Sequence, residues 1–515
     1  MKTKRWLIGW FIMSFALLFI ITIIVYIVDP YMHYHKPNIE KFYYTLDNQR
    51  SQNDGITKNF DYDAIITGTS MTENFKTSEM NSIFNCNSIK VPYSGGTFKE
   101  INDSLTKAIK YNKNIKIIVR GLDMEKFFED KDKIRTDLGK YPEYLYDDNI
   151  FNDVNYIWNR DVIWNRVGVM IKKSINNQKG ITSFDEYSRW QDFYTFGKNV
   201  FENVSESNEI SETHLTEEEK KIIKENIITN VTTVAKENPQ ITFYYFITPY
   251  SAAWWNEIIN NGELYKQIEA EQLIIEMILE VDNIKLFSFN NRMDITSNLN
   301  NYKDKIHYGE WINSFILKWI YNEQYELTKD NYMKYIEDEL NNYSNFNYNS
   351  LNNQIDYQND YYVAALLNEE LTGAKPINLF QTYINNLNLK DTNIINDAYN
   401  GQSGIEVYNQ NKKNITTDEY SGAKINIESI DKYNYLVFYG KRQTNNSKPC
   451  IYIFDDKNEE ILDFTIKNNE IDDEWNQYII NLSKIKGNVN IIFNAYEKNS
   501  ADIETKYIYS NAILY

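Results

Sequence analysis

The chain opens on a nearly uninterrupted apolar run, Trp6 to Val28, that holds no charge and is preceded by Lys2, Lys4 and Arg5. At ~1.5 Å per residue a run of that length crosses a bilayer, and its basic flank belongs on the cytoplasmic side. A cleaved signal peptide is the alternative, but such peptides have a shorter apolar core and a small-residue cleavage site. Val28-Asp29-Pro30-Tyr31-Met32-His33 offers none, which favours a retained anchor and places the rest of the chain outside the cytoplasm. Beyond it, short apolar runs alternate with helical periodicity, the mark of a parallel sheet flanked by helices. The pattern predicts strands at Ala64–Thr67, Ser88–Val91, Ile115–Arg120, Ile241–Ile247 and Ile284–Phe289. It predicts helices at Phe98–Tyr111, Glu217–Lys236, Trp254–Glu280 and Glu310–Tyr321. The expected fold is α/β, a flavodoxin-like doubly wound parallel sheet of five strands, whose ligands bind at the carboxyl ends of the strands.

The alternation is broken between about residues 124 and 215 by an insertion rich in aromatics, among them Tyr156, Trp158, Trp164, Tyr187 and Trp190. Such a segment either shapes a substrate site or makes a small core of its own. From Glu326 to about residue 390 the chain is polar and helical, with an Asn-rich stretch at 341–349 that reads as linker. Short alternating segments broken by Asn, Asp and Gly then run to the C-terminus and predict an antiparallel β-sandwich. The expected organisation is therefore an anchor over residues 1–35, an α/β domain over 36–325, a helical linker over 326–390 and a sandwich over 391–515.

With 515 residues and a net charge of −18, the chain exceeds one core and lacks the clustered Lys and Arg that phosphate binding needs, so nucleic acid is not an expected partner. Cys86 and Cys450 belong to no metal spacing and read as buried thiols more than as a disulfide. No cofactor and no metal site is expected, since the acidic residues have no histidine cluster beside them.

Chemistry enters through one histidine. Of the four, His33 and His35 follow the anchor and His214 lies in an acidic stretch, which leaves His307 in Asp304-Lys305-Ile306-His307. A hydroxyl becomes a nucleophile when a base takes its proton, and an imidazole needs a carboxylate to set its tautomer. Asp304 and His307, three residues apart before a helix, can serve together as that pair. Ser70, in Gly68-Thr69-Ser70 at the carboxyl end of the first strand, is the candidate nucleophile. Ser251, Trp254 and Trp255 follow the fourth strand at the same edge and are candidate substrate contacts, tryptophan faces being suited to sugar rings.

These blocks resemble the SGNH (GDSL-type) hydrolase superfamily: Gly68-Thr69-Ser70 after the first strand, Tyr93-Ser94-Gly95-Gly96-Thr97 after the second and Asp304-x-x-His307 before the last helix. The closing run Asp304 to Trp311 is similar to that of the membrane-anchored DltD-like proteins, and the whole resembles extracytoplasmic polysaccharide O-acetyltransferases and esterases. The resemblance covers roughly residues 60 to 322. It implies Ser70, His307 and Asp304 as a triad, with N–H groups of Ser70, Gly95 and Gly96 as an oxyanion hole. The third block departs from the pattern: Arg120-Gly121-Leu122-Asp123 has no asparagine, and Asp123 is left as a candidate substrate contact or a residue with another task. The C-terminal part resembles jelly-roll modules that often bind carbohydrate. The expected function is removal or transfer of an ester-linked acyl group, acetyl first, on a cell-surface polysaccharide, with a membrane-bound acyl donor protein as a possible partner. The alternatives are a non-catalytic glycan-binding surface protein on the same fold and a D-alanyl-handling protein of teichoic-acid modification.

Overall fold

A computed structural model describes residues 2–197, 200–204, 213–353, 377–383, 387–399, 402–410, 416–417, 420–433, 435–444, 447, 449–465, 476–482, 485–495 and 504–514. The chain divides into two compact units, residues 1–354 and 355–515.

In the first unit a long apolar helix, α1 (Lys2–Val28), comes first. Within its 25-residue stretch Lys4–Val28 an 18-residue window reaches a mean hydropathy of 2.9, so the helix is long and apolar enough either to cross a membrane or to act as a signal sequence. The sheet that follows consists of β1 (Ala64–Thr67), β2 (Ser88–Lys90), β3 (Ile117–Leu122), β4 (Thr242–Ile247), β5 (Ile284–Ser288) and β6 (Glu326–Leu327). Its order is β2-β1-β3-β4-β5-β6. The first five strands are parallel, and β6 adds an antiparallel edge. This corrects the expected five strands to six; a two-residue edge strand is too short to show period-two alternation.

The helices include α2 (Gln49–Asn59), α3 (Thr77–Phe84), α4 (Phe98–Tyr111), α5 (Val154–Ile157), α6 (Val169–Ile175), α7 (Glu217–Ile227), α8 (Ala252–Asn260), α9 (Leu264–Leu279), α10 (Glu310–Tyr321) and α11 (Tyr332–Ser344). Right-handed crossovers about a strand order that reverses at β1 put α3 on one face of the sheet and α4, α7 and α9 on the other. Accordingly α3 packs with α10, and α4 packs with the helical turns that follow α7. The reversal leaves a crevice beyond the carboxyl ends of β1 and β3, where Ser70 stands.

Two predicted helices are broken. The segment 217–236 passes through a π-helical stretch at Ile228–Thr232, and 254–280 divides at Gly262, which has φ +70°. The linker reading of 326–390 is corrected over its first part. Helix α11 packs on α9, with Ile336, Glu339 and Tyr343 buried, so residues 326–353 belong to the first unit. Asparagine-rich composition signalled solvent, but the tyrosine every few residues was the buried stripe. Residues 354–376 of that segment, and 205–212 of the insertion, lie outside the described residues.

The second unit is built from antiparallel strands in two sheets. One takes the order β7 (Asn388–Lys390), β10 (Gly422–Ile427), β15 (Val489–Asn494), β12 (Cys450–Asp455), β13 (Glu460–Thr465). The other runs β8 (Thr392–Tyr399), β9 (Gln402–Gln410), β16 (Glu504–Leu514), β11 (Tyr435–Arg442), β14 (Asn476–Asn481), with Ile377–Asn378 pairing β16. Their inner faces share one apolar core that includes Ile405, Val407, Ile425, Leu436, Phe438, Ile451, Ile491, Phe493 and Tyr509. Cys450 is buried on β12 and Cys86 half-buried in the first unit, and the two are not joined in a disulfide.

Candidate functional site

Strand β1 is buried throughout and ends in Gly68, whose φ of +148° and whose missing Cβ, which would lie 2.6 Å from Thr72 Cγ2, admit glycine there. The chain then turns into a 3-10 helix, Ser70–Thr72, with Ser70 on its first residue. On the far side, the loop before α10 carries Asp304 and His307. Ser251, at the N-cap of α8, holds this loop: its N–H and Oγ both donate to the Lys305 carbonyl, at 3.0 and 2.7 Å.

The two segments meet. Ser70 Oγ lies 2.8 Å from His307 Nε2, and His307 Nδ1 lies 2.9 and 2.8 Å from the two carboxylate oxygens of Asp304. Asp304 also accepts the N–H groups of Ile306 and His307 at 3.0 and 2.8 Å. Burial pushes this carboxyl up, but the hydrogen bonds and charge of His307 outweigh it and bring Asp304 down to about 2. An ionised carboxylate only accepts, so Nδ1 carries the proton and Nε2 is left to accept from the serine hydroxyl. The arrangement can deprotonate Ser70 during attack on a carbonyl.

Trp190 from the insertion closes the pair from above. Its ring meets His307 edge to face at 5.6 Å between centroids, and its Nε1 donates to the Ser70 carbonyl at 3.2 Å. Lys303 Nζ sits 4.5 Å from the Trp190 ring centre and 3.7 Å from the Asp304 carboxylate. Sequence reasoning did not single out Trp190, since nothing in the spacing of the insertion's aromatics distinguishes it from Tyr187 or Trp164. Glu73, one turn past Ser70, was also missed. It is buried, accepts from Gln49 Nε2, and is pushed up to about 7 chiefly by burial. Gln49 Oε1 in turn accepts the Ser94 N–H at 2.6 Å, and the Tyr93 N–H donates to the Gly68 carbonyl at 2.8 Å. The glycine turn is thereby tied to the serine turn.

Within that turn the two glycines differ. The Gly96 N–H donates to the Tyr93 carbonyl at 2.7 Å, so its expected place in an oxyanion hole is corrected: the turn itself consumes the donor. The Ser70 and Gly95 N–H groups make no such backbone bond among the described residues. Gly95 has φ +57°, and a Cβ there would strike Arg135 Nη1, which donates to the Ser94 carbonyl at 2.5 Å.

Three of the four expected substrate contacts face inward, a correction with two causes: polar neighbours at the carboxyl edge of the sheet take up Asp123 and Ser251, and an aromatic stack takes up Trp255. Asp123 is buried, accepts from Thr69 Oγ1 at 2.6 Å and from the Thr248 and Tyr250 hydroxyls at 3.2 Å each, and its carboxyl is raised by burial. It fastens the serine turn to β3 and β4. Ser251 is committed to the Lys305 carbonyl. Trp255 is fully buried and stacks on Tyr343 at 4.2 Å between centroids. Trp254 alone of the four lines the cleft of about 900 Å³ beside Asp304 and His307, together with Met124, Phe128 and Ile258. No group of three or more His, Cys, Asp or Glu that could hold a metal occurs among the described residues.

No protein-family model and no curated protein matches the chain. Among solved structures it is similar to a family 11 carbohydrate-binding module of a cellulosomal cellulase of Clostridium thermocellum, at 20% identity over 24% of this chain and 79% of that one, with a TM-score of 0.17. A family 29 module matches at 14% identity over 25% and 80%, and a family 6 module at 14% over 27% and 90%, each with a TM-score of 0.17. At such TM-scores these matches carry no argument about this chain.

Proposed function

We propose that this protein is a membrane-anchored, extracytoplasmic serine enzyme of SGNH type that removes or transfers an ester-linked acyl group, acetyl first, on a cell-surface polysaccharide. The observation that supports it is the unbroken line Ser70 Oγ, His307 Nε2, His307 Nδ1, Asp304 carboxylate, all within 2.9 Å.

In this reading Ser70 Oγ attacks the acyl carbonyl carbon while His307 Nε2 takes the hydroxyl proton. The tetrahedral oxyanion accepts the N–H groups of Ser70 and Gly95. Collapse breaks the ester bond, and the imidazolium returns its proton to the departing alcohol, leaving acyl-Ser70. The acceptor, water for an esterase or a sugar hydroxyl for a transferase, then loses its proton to His307 as it attacks, and collapse breaks the acyl–Ser70 ester while His307 returns the proton to Ser70 Oγ. Trp190 and the Trp254 side of the cleft exclude water around the reacting groups. The test is labelling of the full chain in detergent by a fluorophosphonate, beside turnover of a chromogenic acetyl ester. Labelling lost in Ser70→Ala and His307→Ala supports the reading; an unlabelled native protein sinks it.

One observation favours a second reading, a glycan-binding protein without catalysis. Asp123 stands where a side-chain oxyanion donor is expected, and its hydrogen bonds are spent on Thr69, Thr248 and Tyr250. That reading predicts retention on immobilised cell-wall glycan by both the native protein and Ser70→Ala, with no acyl turnover in either.

A further inference from the structure

The end of α1 is built into the first unit. Val25 and Val28 are buried. The Asp29 carboxylate accepts the N–H groups of His33, Tyr34 and His35 at 3.0, 2.8 and 3.1 Å and the Tyr156 hydroxyl at 2.8 Å. Lower on the same helix, Trp158 Nε1 donates to Thr22 Oγ1 at 3.1 Å. Thr22 precedes Val28 by six residues, about 9 Å along a helix axis. The insertion that carries Trp158 therefore reaches back alongside α1 to a level inside the apolar run.

The same stretch of insertion carries large apolar side chains in the open. Ile150 is 74% exposed, Phe151 83%, Trp164 68% and Ile175 75%, with Trp158 and Val169 nearly half exposed. From Val162 to Ile175 the backbone is helical, and Trp164, Gly168, Ile171 and Ile175 follow one another at helical spacing along one face. A soluble surface does not collect such groups without a partner. In a chain of net charge −18, residues 150–175 are locally basic, with Arg160, Arg166, Lys172 and Lys173 against Asp153 and Asp161.

We propose that residues 150–175 dock in the outer interface of the membrane that α1 crosses, so that the first unit is held by a spanning helix and a monotopic surface together. This rests on α1 being a retained span. The occupant follows from continuity: Trp158 touches Thr22, and whatever surrounds the last turns of α1 surrounds this face also. Tryptophan rings suit the headgroup level, and apolar groups flanked by Lys and Arg suit the boundary of acyl chains and anionic headgroups. The surface would fix how the cleft beside Asp304 and His307 stands above the bilayer, where a freely tethered domain would tumble.

The test uses the full chain in nanodiscs of phosphatidylethanolamine and phosphatidylglycerol, on a Cys86→Ala background, with single spin labels at Trp164→Cys and Ile175→Cys. Controls are Ile20→Cys on α1 and Lys329→Cys, at a site exposed in the first unit. Collision rates with oxygen and with a water-soluble nickel chelate report the surroundings. The proposal expects oxygen to dominate at 164 and 175, as at 20, and nickel to dominate at 329. Nickel access at 164 and 175 with position 20 in lipid overturns the docking while sparing the anchor. Labels at 164 and 175 shielded from both reagents mark a protein partner and overturn it likewise. Nickel access at position 20 overturns the anchor itself, and the docking with it.

Discussion

Substitution of Glu339 by glutamine gives a quantitative handle on the floor beneath the cleft. Glu339 on α11 and Glu271 on α9 are both fully buried; Tyr335 OH donates to Glu339 Oε1 at 3.2 Å and Asn290 Nδ2 to Glu271 Oε1 at 3.3 Å. The second oxygen of each carboxyl has no hydrogen bond among the described residues. Burial raises both groups, and Glu271 is raised further by the charge of Glu339. A carboxyl raised in the native state is protonated there at a pH where the unfolded chain, near the ordinary value of about 4.3, has released its proton. Folding then takes up protons, and stability falls as pH rises above the unfolded value until the folded pKa is passed. Each retained proton costs about 1.4 kcal/mol per pH unit in that window. Two carboxyls therefore give a slope of up to about 2.8 kcal/mol per unit and one gives half of it. Glutamine keeps the shape of Glu339 and removes one of the two titrations. Between pH 5.5 and 7.5 the variant should gain on the native protein by about 3 kcal/mol, with little difference near pH 4.5. The assay is denaturant unfolding of the full chain in detergent, read by tryptophan fluorescence across that range; other titrating groups cancel in the difference. Parallel stability profiles, or a variant that is weaker at pH 7.5, would refute the account of two carboxyls that each keep a proton on folding. The consequence reaches the site, because Tyr343, one turn on from Glu339, stacks on Trp255 beside the cleft residue Trp254.

Asp304→Asn should slow fluorophosphonate labelling of Ser70 by about 10²- to 10⁴-fold, because an amide no longer holds Nδ1–H toward itself; unchanged labelling rates would exclude the tautomer role. In the native protein Asp304, held low at about 2, contributes stability that is present above the unfolded carboxylate value and is lost as pH falls toward 2. Trp255→Ala should cost about 3–5 kcal/mol by denaturant unfolding, as emptying a fully buried indole site does, whereas a loss below about 1 kcal/mol would show the Tyr343 stack to be dispensable.

The parallel sheet was legible because buried parallel strands are continuous apolar runs, as Ala64–Thr67 and Thr242–Ile247 are, and such runs survive any arrangement of neighbours. Strands of the sandwich were legible at their centres, such as Cys450–Phe454, and illegible where Asn and Gln dilute the alternation, as in Thr392–Tyr399 and Gln402–Gln410. The Asn-rich segment 341–349 misled for the same reason. Its composition is that of a loop, but Tyr343 and Tyr348 are buried, and burial depends on what distant segments such as α8, with Trp255 against Tyr343, present to them.

Ser70, Asp304 and His307 were found from residue type and local spacing, since a triad needs those chemistries and one pair of them lies three residues apart. Their meeting across 237 positions, the closure by Trp190 and the bond from Ser251 to the Lys305 carbonyl belong to the tertiary structure. So does the burial of Asp123 and Trp255, which looked from the sequence as available for substrate as Trp254. Chemical identity is a property of each residue and is written in the chain. Which way a side chain points at the end of a strand is settled by whether its neighbours leave it a hydrogen-bond partner or a cavity, and those neighbours come from distant segments.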